Sequence, residues 1–471
     1  MRRLLLLVTL VGLVVAAVPA TSGVTAGQVA QKTLTYEVRT KGAVRSDVAV
    51  FRRIAARTFN DRRGWSLGGS LRYREVASGG AFTLWLSEAS QVPSFGSPCH
   101  SRYSCRIGRN VIINDDRWRL GTSTWTQVPE YRSYVLNHEL GHWLGLGHTS
   151  CSRSGAPAAV MQQQSISLQG CVSNTWPLIA ERLAVAQRQG VAVRSARPDL
   201  TAVYQRPGAA TEAHVLAGST GYQTFALRTT TALGPTASWA WQFLVVDRNR
   251  DGVDDVVGVL RHGGSGTTEV HVLDGASGLR RWQLRTTTAL HRTDENWTFG
   301  VDDVDVDGEL DLLAFAHAGG SGTTEVHVLS GATGFRSWLL HTPTALHRTS
   351  PTRWTLTTGD HDRDGRVDVY AIDRQGGSGR TEVHVLDGRH RFTRFSLHAA
   401  SSLGHTSSDW EFVAEDLDGN GWSDLLAVNR RGASRTDLHV LRDRTYGGFL
   451  LRTPTGLPPT ADAPQWHVDA D

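Results

Sequence analysis

Apolar residues along this chain change their spacing twice, and each change marks a different kind of structure. Residues 1–20 open with Met1-Arg2-Arg3, continue from Leu4 to Val18 with almost only apolar side chains, and close on Pro19-Ala20. A basic start, an apolar run shorter than the ~20 residues of a membrane span and small residues at its end predict a secretory signal peptide. From about residue 30 the spacing is mixed. Leu34, Tyr36 and Val38 alternate with polar neighbours and predict a strand, after which Asp47 caps a helix reaching to about Asn60. Residues 71–76, 82–86 and 111–113 predict further strands. A helix from about Pro129 to Gly145 and a last one opening at Pro177 and running to about Gln189 complete a small α+β domain over residues 30–192.

Beyond residue 195 the chain turns to short alternating strands between Gly-rich turns, and the same unit returns at a period of about 56 residues. Its marker is an acidic loop: Asp247, Asn249, Asp251 and Asp255, then Asp303, Asp305, Asp307 and Asp311, then Asp360, Asp362, Asp364 and Asp368, then Asp416, Asp418, Asn420 and Asp424. A tryptophan stands six residues before each loop (Trp241, Trp297, Trp354, Trp410), and Trp466 continues that ladder without a loop. Residues 199–203 match the apolar strand that follows each loop, again without one. Joining the tail strand at Trp466 to residues 199–203 closes a ring, so residues 195–471 are expected to form an all-β five-bladed propeller. His214, His271, His327, His384 and His439 alternate with apolar neighbours and share one face; that periodicity accounts for them, and for the tryptophans, as blade structure.

Chemistry concentrates in one stretch. Residues 137–148 read N-H-E-L-G-H-W-L-G-L-G-H. His138 and His142, four apart, stack on one helix face, and Gly145 lets the chain turn so that His148 returns as a third ligand. Three nitrogens leave tetrahedral zinc one open position, the arrangement of a catalytic site. Glu139 is placed to act as base on a water at the metal. The acidic loops offer oxygens at positions one, three, five and nine, which suits calcium, about four ions in all, in a structural role.

These residues carry resemblances. His138 to His148 resembles the zinc signature of the metzincin metallopeptidases, and Met161 matches that family's methionine turn; the likeness implies hydrolysis of peptide bonds. The family's tyrosine two residues after the methionine is Gln163 here, which leaves the oxyanion helper unassigned. The region from Cys99 to Trp176 also resembles an actinobacterial exported domain of unknown function, which implies no substrate. The loops resemble the calcium loops of FG-GAP (VCBS-like, integrin-alpha-type) propeller repeats.

Composition narrows the partners. The net charge is +4 over 471 residues, Lys32 and Lys41 are the only lysines, and no basic tract is interleaved with aromatics, so nucleic acid is not an expected partner. Four cysteines in an exported chain imply two disulfides; of three possible pairings the local one, Cys99 with Cys105 and Cys151 with Cys171, is simplest. The expectation is a secreted multidomain protein without a transmembrane anchor after signal cleavage. It combines a zinc endopeptidase acting on protein or peptide with a propeller that binds a surface, glycan or protein. The alternative is an adhesion or lectin-like protein without turnover.

Overall fold

The computed structural model describes residues 32–470 apart from 126, 195, 196, 419, 421, 433 and 461–465; the signal peptide expected over residues 1–20 lies outside the described residues. The first region is built on a five-stranded sheet. Its strands are β1 (Lys32–Lys41), β2 (Leu71–Glu75), β3 (Phe82–Ser87), β4 (Cys105–Ile107) and β5 (Asn110–Asn114), in the order β2-β1-β3-β5-β4. All pairs are parallel except β4 on β5, a hairpin at the edge. Four helices, α1 (Val48–Asn60), α2 (Asp115–Leu120), α3 (Val128–Trp143) and α4 (Ile179–Gln189), accompany the sheet.

Helix α1 starts where expected because the Asp47 carboxylate accepts the N–H groups of Ala49 and Val50. It buries Phe51, Ile54, Ala55, Thr58 and Phe59, one helical stripe, against a core shared with Tyr36, Phe82, Tyr131, Val135 and Leu140. A 3-10 helix over Ala89–Phe95 and two further short elements were not anticipated. Helix α2 has six residues, too few for periodicity to declare itself, and is held by the Asn114 side chain accepting from Asp116 and Arg117. Strand β4 has three and starts at Cys105, where the loop closed by Cys99–Cys105 ends. Pro177 does not open the last helix: Leu178 is still extended (ψ 159°), and the first turn begins at Ile179. Cys151–Cys171 is the second disulfide, so the local pairing holds.

The second region is a propeller of five four-stranded antiparallel sheets. Four blades are consecutive in sequence, starting at Trp241, Trp297, Trp354 and Trp410. The fifth joins Trp466–Ala470 to Leu200–Tyr204, with Trp466 opposite Tyr204, so the two ends of the repeat region complete one sheet. Ring closure leaves no open sheet edge at the seam. Each blade is riveted by a threonine pair, such as Thr268 with Thr293 at 3.1 Å and Thr381 with Thr406 at 3.0 Å. Arg261, Arg374 and Arg430 tie blade to blade by donating to the carbonyls of Trp297, Trp410 and Trp466.

The acidic loops lie on the propeller face that meets the first region. Arg57 pairs with Asp303 at 3.0 Å, Arg63 with Asp416 at 3.2 Å and Arg72 with Asp251 at 3.1 Å; Arg53 donates to the Asp307 carbonyl at 2.8 Å. At the remaining loop the charges are exchanged, Arg363 of the propeller meeting Glu130 of α3 at 3.4 Å. A cavity of about 730 Å³ lies between the regions, lined by the inner strands of the propeller and by Arg57, Arg63, Glu130 and Trp176.

Candidate metal centre

Helix α3 carries His138, Glu139 and His142 in its last turns. The helix ends at Trp143, and the Leu146 N–H returns to the Gly141 carbonyl at 3.0 Å, a wrap that Gly145 makes feasible at φ 96°. The same turn orients a ligand. The Leu146 carbonyl lies 2.9 Å from His142 Nδ1, and the Val160 carbonyl lies 2.8 Å from His138 Nδ1. Each imidazole thereby keeps its proton on Nδ1 and its lone pair on Nε2.

His148 follows directly, fixed by the Thr149 N–H donating to the Met161 carbonyl. Its Nε2 stands 3.1 Å from His142 Nε2. Two nitrogens bonded at about 2.0–2.1 Å to one tetrahedral zinc lie about 3.3 Å apart. One ligand atom from each of the three histidines lies within 4.8 Å of the others. Burial holds all three imidazoles neutral, His138 to about 3 with help from His142. Neutral imidazole is the ligating form.

Glu139 is buried and its Oε2 has no hydrogen-bond partner. Burial pushes this carboxyl up to about 8. An orphaned buried oxygen on the residue that follows His138, in a helix that also carries His142, fits a cation with an attached water better than it fits a finished core. Beneath the histidines, Met161 approaches so closely that a Cβ on Gly141 would stand 2.4 Å from its sulfur. That contact explains Gly141 within the motif.

Several supports escaped the motif. The Glu181 carboxylate accepts the N–H groups of Val160 at 3.1 Å, Met161 at 2.8 Å and Leu178 at 2.8 Å, pinning the turn that carries Met161. Its only sequence signal is an acid in the first turn of α4. The Tyr134 hydroxyl donates to the Gln162 carbonyl, accepts from the Gln164 N–H and lies 3.4 Å from His138 Nδ1. It stands on the far side of that ring from Nε2, so it positions His138 and is no oxyanion helper. Gln163 is exposed. The first region's arginines at the acidic loops also gave no signal, since nothing in sequence says which surface of this region meets the propeller.

In the loops, positions one, three and nine converge: Asp303, Asp305 and Asp311; Asp360, Asp362 and Asp368; Asp416, Asp418 and Asp424. Position five also holds the turn. Asp251, Asp307, Asp364 and Asn420 each accept the N–H two residues on. Position nine has a second task as well. Asp255, Asp311 and Asp368 accept the N–H of Gly275, Gly331 and Gly388, and Asp199 accepts that of Gly218 where no loop precedes it. The aspartate therefore persists at Asp199 as a clamp. Gly308 and Gly365 combine positive φ with close approach: a Cβ there would stand 2.6 Å from Arg53 Cβ and 2.5 Å from Pro129 Cβ.

Comparisons with known proteins bear on both regions. A family model described as a protein of unknown function, DUF3152, matches residues 14–183, and an FG-GAP-like repeat model matches residues 360–427. No curated protein matches the chain. Among solved structures, AofleA from Arthrobotrys oligospora is similar at 11% identity, covering 57% of this chain and 72% of that one with a TM-score of 0.35. A mutant of the Aleuria aurantia lectin in complex with Fucα1-6GlcNAc is similar at 11% identity, covering 55% and 81%, with a TM-score of 0.32. Likenesses this distant carry no argument about ligand.

Proposed function

We propose that the chain is an exported zinc endopeptidase of metzincin type, whose propeller carries calcium and binds a surface, glycan or protein beside which the peptidase works. The observation that supports it most is the convergence of three neutral imidazoles, together with a buried, unpartnered carboxylate on Glu139, the residue after the first of them. His138, His142 and His148 would hold the ion. Zinc in such a site supplies Lewis acidity and an acidified water near neutral pH.

The chain's own residues do the rest. The carbonyls of Val160 and Leu146 keep His138 and His142 in the ligating tautomer. Glu139 takes the proton of the attacking water on its carboxylate and hands it to the nitrogen of the departing amine, so it ends the turnover as it began. A cation at the imidazoles favours the ionised form of Glu139, while burial keeps that carboxylate a stronger base than an exposed one. Two disulfides support an oxidising, extracellular destination.

The test is cleavage of a denatured-protein mixture by the full chain beside Glu139→Gln. The expected loss is about 10³-fold, with zinc content unchanged. Zinc binding without any Glu139-dependent cleavage would sink the peptidase reading. A binding protein without turnover is the second reading, favoured by Trp239 and Trp338, which stand 56% and 44% exposed on the propeller.

A further inference from the structure

Every blade carries a histidine on its third strand with an acid two residues before it: Glu212 and His214, Glu269 and His271, Glu325 and His327, Glu382 and His384, Asp437 and His439. Each histidine packs on the tryptophan of its blade's inner strand, at 5.0 Å for Trp297 and His327 and 5.1 Å for Trp241 and His271. The position opposite, on the fourth strand, differs between blades. It is Arg228, Arg285 and Arg452 in three of them, but His341 and His398 in the other two. A guanidinium stays protonated and offers no lone pair. An imidazole does.

In the blade that begins at Trp297, this exchange creates a cluster. His327 is 6% exposed, and its Nε2 lies 3.3 Å from Glu325 Oε2 yet forms no hydrogen bond. His341 Nε2 lies 3.7 Å from the same oxygen, and the two rings are 4.0 Å apart at their centroids. One ligand atom from each of the three residues falls within 4.8 Å of the others. The next blade has the same residue types without the convergence. There His384 meets His398 Nδ1 through its own Nδ1 at 2.7 Å, and Glu382 through the opposite nitrogen at 3.4 Å.

We propose that Glu325, His327 and His341 bind a divalent transition-metal ion of the zinc class, separate from the centre in the first region. Two imidazole nitrogens and one carboxylate oxygen are a donor set for zinc rather than for calcium or magnesium. The His341 side chain is 64% exposed, so ions reach the cluster from solvent and water completes the coordination. The ion ties the third and fourth strands of this blade together at a point where other blades use an arginine.

The experiment is zinc bound per full-length chain by equilibrium dialysis, with calcium at saturation so that the acidic loops are filled. His341→Arg installs the residue three other blades carry, so the blade is expected to fold; His341→Gln is the second variant, and His398→Arg the control. Both His341 variants are expected to bind about one zinc ion fewer per chain than the unmodified protein, and the control to bind as much. Undiminished zinc in both His341 variants overturns the proposal, as does an equal loss in His398→Arg. Because the readout is a difference between variants, it holds whether or not the centre at His138 binds zinc.

Discussion

The histidine centre and the acidic loops are both sets of converging candidate ligands, yet they are built in opposite ways. At the centre, each ligand is neutral and its second nitrogen or neighbouring backbone is satisfied by the protein: Val160 and Leu146 carbonyls for the rings, Glu181 for the turn beneath. In the loops, carboxylates crowd together. Burial raises Asp311, Asp368 and Asp424 to about 7, and first-region arginines supply the positive charge that meets Asp303 and Asp416. The three histidines are thus held in place by the protein itself, whereas the loops are met by positive charge from the first region. Preorganisation and charge dependence respond differently to mutation and to pH, and that difference can be broken.

The largest expected effect is at a support of the centre. Glu181→Ala leaves the N–H groups of Val160, Met161 and Leu178 without their acceptor, and a cost of about 3 kcal/mol or more is expected in urea unfolding. A loss within about 0.5 kcal/mol would mean that water replaces the carboxylate and that the turn is not preorganised. Next is Gly141→Ala. Its Cβ would press on the Met161 sulfur, and about 2 kcal/mol of destabilisation together with weakened zinc binding is expected.

The loops should answer to calcium and pH together. In chelator, folding keeps on Asp311, Asp368 and Asp424 protons that the unfolded chain releases near pH 4. Their contribution is therefore full below that pH and is lost as pH rises through about 7. The melting temperature of the chelated chain is expected to fall by several degrees between pH 5 and pH 8, and calcium to abolish most of that fall. A chelated protein that grows more stable over this range would contradict the charge account. The smallest effect is Arg57→Ala, about 1 kcal/mol from a pair whose arginine is 41% exposed, read as a lowered melting temperature that calcium restores.

Sequence foretold the two assemblies unequally. The five-fold period exposed the propeller down to the pairing of Trp466 with the strand at Leu200, because a repeat states its register many times. His138, Glu139, His142 and His148 were legible as a motif, and the structure brings the three histidines together. What stayed hidden acts across long separations. Glu181 supports a turn twenty residues earlier, and Arg57 meets Asp303 from another region; neither has a local pattern. Helix α2 and strand β4 were simply too short to show a period. The aspartate at loop position nine was read only as a ligand, although Asp199, kept without a loop, held the clue to its bond with the Gly218 N–H.

The most direct measurement of the contrast is anomalous scattering at the zinc edge from crystals of the full chain grown with both zinc and calcium. A zinc peak where the imidazoles of His138, His142 and His148 converge is expected, with the loops at Asp303, Asp360 and Asp416 free of zinc signal. Zinc in the loops with none at the three histidines would contradict it.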